Sequence, residues 1–185
     1  MKVQLVKYSD LPNEEQRKYD EYANCIRVRF EDVDDPTIMS FDQGDWIDAK
    51  LAEDVNLRAG EFMHASIGFA MAIPKNYEAW LVPRSSTFKR YGVIQTNGIG
   101  IIDNSYNGNS DIWKIPIYAT RDITIPKGTR ICQFRLVRTM DSYSYHRYDD
   151  KCIMDLHTDN NGAIVILVVD DLGNSDRGGF GSTGE

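Results

Sequence analysis

The chain has 185 residues, 42% of them hydrophobic and 26% charged, with a formal net charge of -7 and a pI near 5.0. That length supports one domain with a sizeable core, and the acidic balance argues against broad, sequence-indifferent nucleic-acid binding, which needs a basic face. The longest apolar run, Ala163 to Val169, has strand length and falls well short of the roughly 18 residues of a membrane helix.

Met1 to Asp10 is polar and carries no signal-peptide pattern, which predicts a cytoplasmic protein. Lys2 to Lys7 reads as a short first strand, stopped by Leu11-Pro12. Asn13 to Asn24 reads as a short polar helix, with Asn13 as its N-cap and Glu14 and Glu15 in the first turn. Glu31 to Pro36 is an acidic, turn-rich link; it lacks the Gly and the closing Glu of an EF-hand and reads as a solvated loop.

From Trp46 onward the pattern is one of strands: short apolar stretches rich in Ile, Val, Tyr and Phe, broken by Gly, Pro, Asn and Asp. Cys132, Phe134 and Leu136 alternate with Gln133, Arg135 and Val137, which turns one face inward and puts Gln133 on the other. No long helical period follows residue 25, so an all-β sandwich or barrel-like fold of short strands is expected. Asp141 to Gly162 is polar and tyrosine-rich, an extended hairpin or surface insertion before the buried-type strand Ala163 to Val169. Gly173 to Glu185 has five glycines and one large apolar side chain, Phe180. It cannot bury enough surface to offset its ordering entropy and is expected to be mobile by itself. The expected organisation is a β domain over residues 1–172, with an N-terminal extension near 10–40, followed by a flexible lid over 173–185.

The three cysteines, Cys25, Cys132 and Cys152, are scattered and odd in number, which predicts unpaired thiols. His64, His146 and His157 form no zinc-binding spacing. Gly179 to Gly184 satisfies G-x-G-x-x-G, but a dinucleotide fingerprint needs a strand before it and a helix and further strand after it, so a dinucleotide site is not expected here. No Walker A sequence is present. A Gly-rich tail with one Arg and one aromatic is instead suited to folding over a nucleotide. Phe180 would stack on a base, Arg177 would pair with a phosphate, and the Gly amides with Ser182 and Thr183 would donate to the remaining oxygens.

Five segments, in order, resemble the motifs of the trimeric dUTPase family: Trp46 to Val55, Pro83 to Ser86, Asn97 to Gly108, Gly128 to Gln133 and Arg177 to Gly184. The resemblance implies a dUTPase-like β-barrel or jelly-roll sandwich with a short N-terminal helix and a flexible Gly-rich tail. It implies a dUTP diphosphatase that hydrolyses dUTP to dUMP and pyrophosphate, limiting uracil incorporation into DNA and supplying dUMP for dTMP synthesis. Its third motif is a hairpin whose backbone, with Asn97, Gly98 and Ile102, reads the uracil edge; cytosine would leave buried groups unpaired. Tyr106 would pack under the deoxyribose and exclude a 2'-hydroxyl, and Asp103 would be the general base that activates water against the α-phosphorus. Arg84, Ser85, Ser86, Gln133 and Arg177 would surround the triphosphate, and Phe180, Gly181, Ser182 and Thr183 would close over it. Mg²⁺ would ride on the phosphates, its waters held by Asp48. The first motif here reads Trp46-Ile47-Asp48-Ala49, where the family has Ala-Gly-x-Asp-Leu. The resemblance also implies a homotrimer whose active sites draw the third motif, the phosphate-binding motifs and the tail from different chains, and it implies neither a nucleic-acid nor a membrane partner. Two other readings stay open: a dCTP deaminase, which shares the fold, and a non-catalytic protein that keeps the nucleotide pocket as a switch.

Overall fold

The computed structural model describes residues 3–22, 24–39, 44–140 and 156–180. The first strand, β1 (Val3–Lys7), runs through a single 3-10 turn at Tyr8–Asp10 into helix α1 (Asn13–Glu21). Pro12 rather than Asn13 occupies the N-cap, and the helix stops at Glu21, earlier than the polar run suggests. A proline already lacks the N–H that a helix start leaves unpaired. The amides of Glu15 and Gln16 both turn back to the Pro12 carbonyl, so Asn13 is carried into the first turn. One face of α1 is fixed by Tyr19, which packs with Cys25, Val165 and Leu167 in a small satellite cluster.

The remaining strands follow in chain order: β2 (Ile26–Phe30), β3 (Ile38–Met39), β4 (Ile47–Lys50), β5 (Val55–Leu57), β6 (Phe62–Ser66), β7 (Phe69–Ala72) and β8 (Tyr77–Pro83). After the five-residue helix α2 (Thr87–Tyr91) come β9 (Val93–Gln95), β10 (Gly100–Ile102), β11 (Lys114–Ala119), β12 (Ile123–Ile125), β13 (Arg130–Arg138) and β14 (Ile164–Val168). They assemble into sheets ordered β1-β14-β2-β7, β10-β8-β13-β4-β3, β6-β11-β9 and β12-β5. The all-β expectation therefore holds, and α2 is a short turn of helix closed by Gly92 in the left-handed conformation.

Periodicity explains the core. In β2 the pattern Ile26, Val28, Phe30 is buried while Arg27 and Arg29 are half-exposed, and β13 buries Cys132 and Phe134 around a half-exposed Gln133. By contrast β14 is buried at four consecutive positions. It lies between β1 and β2 and pairs in parallel with both, and a strand covered on both faces has no polar side to alternate with. At the centre Phe69, Trp113 and Phe134 pack with ring centroids 4.9 to 6.0 Å apart. Cys25 and Cys132 are buried free thiols, both with pKa raised by burial; Cys152 lies outside the described residues. No helix among the described residues is long and apolar enough to cross a membrane.

Candidate active site

The turn that opens at Asn97 takes the chain from β9, paired with β11, to β10, paired with β8, so these two strands do not form the hairpin expected from the sequence. It is set by Gly98, whose φ of 68° belongs to the left-handed region, and by Gly100, where a Cβ would come within 3.3 Å of the Leu81 side chain. The chain then enters β10, which pairs with β8 so that Ile102 lies opposite Ala79. Asn97 does not stand alone. The buried Gln95 donates from Nε2 to Asn97 Oδ1 at 2.7 Å and to the Leu81 carbonyl at 3.1 Å, while its own Oε1 has no hydrogen-bond partner. Gln95 was not a sequence candidate; its only sequence signal is a polar residue closing an otherwise apolar strand.

Asp103 follows the end of β10. Its Oδ1 accepts the Ser105 backbone N–H at 2.8 Å and the Ser105 hydroxyl, and the Arg177 guanidinium lies 3.7 Å from the same oxygen. The two Ser105 hydrogen bonds, assisted by Arg177 and only partly opposed by burial, hold the carboxyl below its ordinary range. Tyr106 donates its hydroxyl to the Ile112 carbonyl at 3.0 Å, and burial, with the charges of Asp111 and Asp176, raises its pKa, so the phenol stays protonated. Against its ring lies Gly179, where a Cβ would come to 3.2 Å. Asp103, Ile102, Tyr106, Trp113, Lys114, Arg177 and Phe180 together line a cavity of about 160 Å³. Phe180 is 57% exposed, has a φ of 53° and packs on His64 of β6 with centroids 3.9 Å apart. His64 is held below its ordinary pKa by burial and by Lys114, so at neutral pH the contact is between two uncharged rings.

The other predicted residues gather elsewhere. Asp48 on β4 and Gln133 on β13 are direct partners across the sheet, and Val82 of β8 lies on the far side of Gln133. The buried Asp48 places Oδ2 3.1 Å from both Arg84 Nε and Arg130 Nη1. Ser85 and Ser86 lead into α2, whose Thr87 is fixed by a 2.6 Å bond from its hydroxyl to the Ile131 carbonyl. Arg84 and Ser85 border an open apolar depression of about 510 Å³ with Phe88, Ile94 and Gly98. Along the chain's own sheet these two groups do not meet. Continued one residue beyond its last pair, Ile102 with Ala79, the β10–β8 register would bring Asp103 level with Glu78, six residues before Arg84, or about 20 Å of extended strand. Arg130 joins the cluster without having been a sequence candidate. Among the described residues no group of three or more His, Cys, Asp and Glu gathers as a metal site. Gly181, Ser182 and Thr183 lie outside the described residues.

The tail, in contrast, meets the third motif of its own chain. The link is Asp111, also missed by sequence, whose carboxylate is 1% exposed and accepts backbone N–H groups from Gly108, Arg177 and Gly178, each at 2.9 Å. Burial by itself would raise this carboxyl, and the amides outweigh it, leaving the pKa below the ordinary value.

A family model described as dUTPase matches residues 47–156. The SPbeta prophage-derived deoxyuridine 5'-triphosphate nucleotidohydrolase of Bacillus subtilis is 45% identical over 86% of this chain and 97% of its own length. The deoxyuridine 5'-triphosphate nucleotidohydrolase of Thermobifida fusca is 31% identical over 86% of this chain and 78% of its own. Among solved structures, the Staphylococcus bacteriophage 80alpha dUTPase with dUPNHPP superposes with a TM-score of 0.55 at 18% identity, covering 88% of this chain and 99% of that one. A mutant dUTPase from phage phi11 of S. aureus, with a structural Mg(II) ion, matches with a TM-score of 0.55 at 17% identity over 74% of this chain and 97% of that one. A family match over more than half the chain, a close relative along nearly its full length and the shared fold lead to one conclusion: the chain belongs to the dUTPase family.

Proposed function

We propose that the chain hydrolyses dUTP to dUMP and pyrophosphate in a site built around Asp103. The enzyme is a deoxyuridine 5'-triphosphate nucleotidohydrolase by family, and the observation that carries the residue assignment is the grip on one carboxylate oxygen. Ser105 and Arg177 both engage Asp103 Oδ1, which keeps the group ionised and leaves Oδ2 as the atom we assign to the attacking water. A base of this kind takes the water's proton as the oxygen forms its bond to the α-phosphorus and the bond to the pyrophosphate oxygen breaks. Asn97, braced by Gln95, and the Gly98 to Ile102 backbone are assigned to the uracil edge. Tyr106 is assigned to the deoxyribose; its hydroxyl is already committed to Ile112, so the ring offers that sugar only its apolar face.

Arg84, Ser85, Ser86 and Gln133 are assigned to the triphosphate, with Arg177, Phe180, Gly181, Ser182 and Thr183 as the closing segment. Arg84 is pre-aimed because Asp48 fixes its guanidinium, and an ordered cation costs little reorganisation when negative charge develops. Magnesium is the proposed cofactor; bound on the substrate phosphates, it would supply neutralisation of the charge on the leaving pyrophosphate. Asp48, the acidic member of a cluster with two arginines, is the residue assigned to the ion's water shell.

The active unit we propose is a homotrimer in the cytoplasm. Two features support it. Continuing the β10–β8 register sets Arg84 about 20 Å of strand away from Asp103 of the same chain, so a neighbour's Arg84 would complete each site. Phe62, Tyr118 and Ile94 sit side by side across β6, β11 and β9 and are 49%, 40% and 48% exposed, an apolar row of the kind that marks a subunit contact.

The test is product analysis with Mg²⁺ present: pyrophosphate from dUTP is the expected result, with dCTP turned over slower by roughly 10⁴-fold, as a site built to pair its ligand's polar edge discriminates. Ammonia from dCTP would instead identify a deaminase, and binding of dUTP without any product would identify a switch.

A further inference from the structure

The root of the tail, where Leu172 is buried, is also held by a set of polar ties. Asn109 donates from Nδ2 to Asp171 at 2.7 Å and accepts the Leu172 N–H at 2.8 Å, and Asp176 Oδ1 accepts the Ser110 N–H at 2.7 Å. Between them sits Asp111, taking the Arg177 and Gly178 amides together with that of its own turn. A carboxylate with 1% exposure is costly unless its oxygens are filled, and here they are filled largely by the backbone of another segment 66 residues away. Gly108 forms the floor of the contact: a Cβ there would come within 2.5 Å of Asp176 Cα and 2.6 Å of its nitrogen. The two segments touch backbone to backbone, and what lies just beyond the touch is Arg177 beside Asp103 and Gly179 on Tyr106.

We propose that Asp111 is a positioning residue for hydrolysis, clasping the tail root of its own chain so that Arg177 stands at Asp103 before nucleotide arrives. The inference rests on the assignment of Asp103 as the base. Its consequence is that part of the ordering entropy of the closing segment is spent in folding and not at each turnover, which lowers the cost of assembling the site. The tail and the general base of one active site then belong to the same chain.

The clasp is tested on the full-length protein by limited trypsin digestion without nucleotide, following release of the octapeptide 178–185 by mass. Cleavage after Arg177 needs the clasp to open, so its rate follows the open population. Asp111→Asn keeps the size but replaces one acceptor oxygen with a donor facing an amide, and should speed release by about tenfold or more. The same variant should lower kcat/KM for dUTP by roughly 10–100-fold. Combined with deletion of 177–185 it should add nothing to the deletion alone, because the two lesions remove one interaction. Unchanged octapeptide release, or losses that multiply when the lesions are combined, would overturn the proposal. If Asp111→Asn gives no cooperative melting, Gly108→Ala decides the matter, since it displaces the tail root with Asp111 intact; rapid release supports the clasp and wild-type release overturns it. The trypsin comparison does not depend on turnover, so a wild-type protein that left dUTP intact would refute the catalytic reading while the clasp could still be judged.

Discussion

Asp103 shows how a side chain that is ordinary in type becomes specific by its neighbours. It is more than half exposed, so its ionisation is set chiefly by Ser105 and not by burial. Asp103→Asn should lower kcat by about 10²–10⁴-fold while dUTP still binds, measured by pyrophosphate release and calorimetric titration. The pH dependence follows from the direction of the shift. A carboxyl held below its ordinary pKa carries activity at all pH values above that lowered pKa, and loses it as pH falls through it. Ser105→Ala removes the largest cause of the lowering, so the acid limb of the kcat/KM profile should move to higher pH. A profile that stayed in place would show that Ser105 does not set the ionisation of the base.

At the scale of the strand, β4, the end of β8 and β13 bring together the cluster proposed to face the phosphates, and Asp48 joins them electrostatically. Asp48→Ala would leave Arg84 and Arg130 without their shared partner. The expected loss is roughly 1.5–3 kcal/mol of unfolding free energy in a urea titration, together with a raised KM as Arg84 loses its aim. Much of this level was legible in the chain: the alternation Cys132, Phe134, Leu136 against Gln133 located β13 and its faces correctly. Helix α2 was not, because five residues are too few to display a helical period. The expectation that the tail is mobile by itself rested on its small apolar content, and the hydrogen bonds that tie its root to Asp111, Asn109 and Ser110 are not revealed by composition.

At the scale of the whole molecule, the separation of Arg84 from Asp103 and the joining of Asp103 to Arg177 make opposite forecasts for mixed assemblies. Chains carrying Arg84→Ala and chains carrying Asp103→Asn, each poorly active alone, should regain part of the wild-type rate when unfolded together and reassembled, because a site can take its arginine from one and its base from the other. Chains lacking 177–185 mixed with Asp103→Asn chains should regain none if, as proposed, the tail clasped by Asp111 serves the Asp103 of its own chain. Recovery in the second mixture would show tails exchanged between chains.

The order of motifs, the strand periods and the demand for glycine at sharp turns were present in the sequence by itself, because each depends on residues a few positions apart. Only the tertiary structure decided that β14 inserts in parallel between β1 and β2, that one carboxylate serves both Arg84 and Arg130, and that Asp111 meets the tail. Those pairings join distant segments, several of them through backbone amides. An amide is the same at nearly every residue, so the chain carries no mark of which one a buried carboxylate will choose until the fold brings them together.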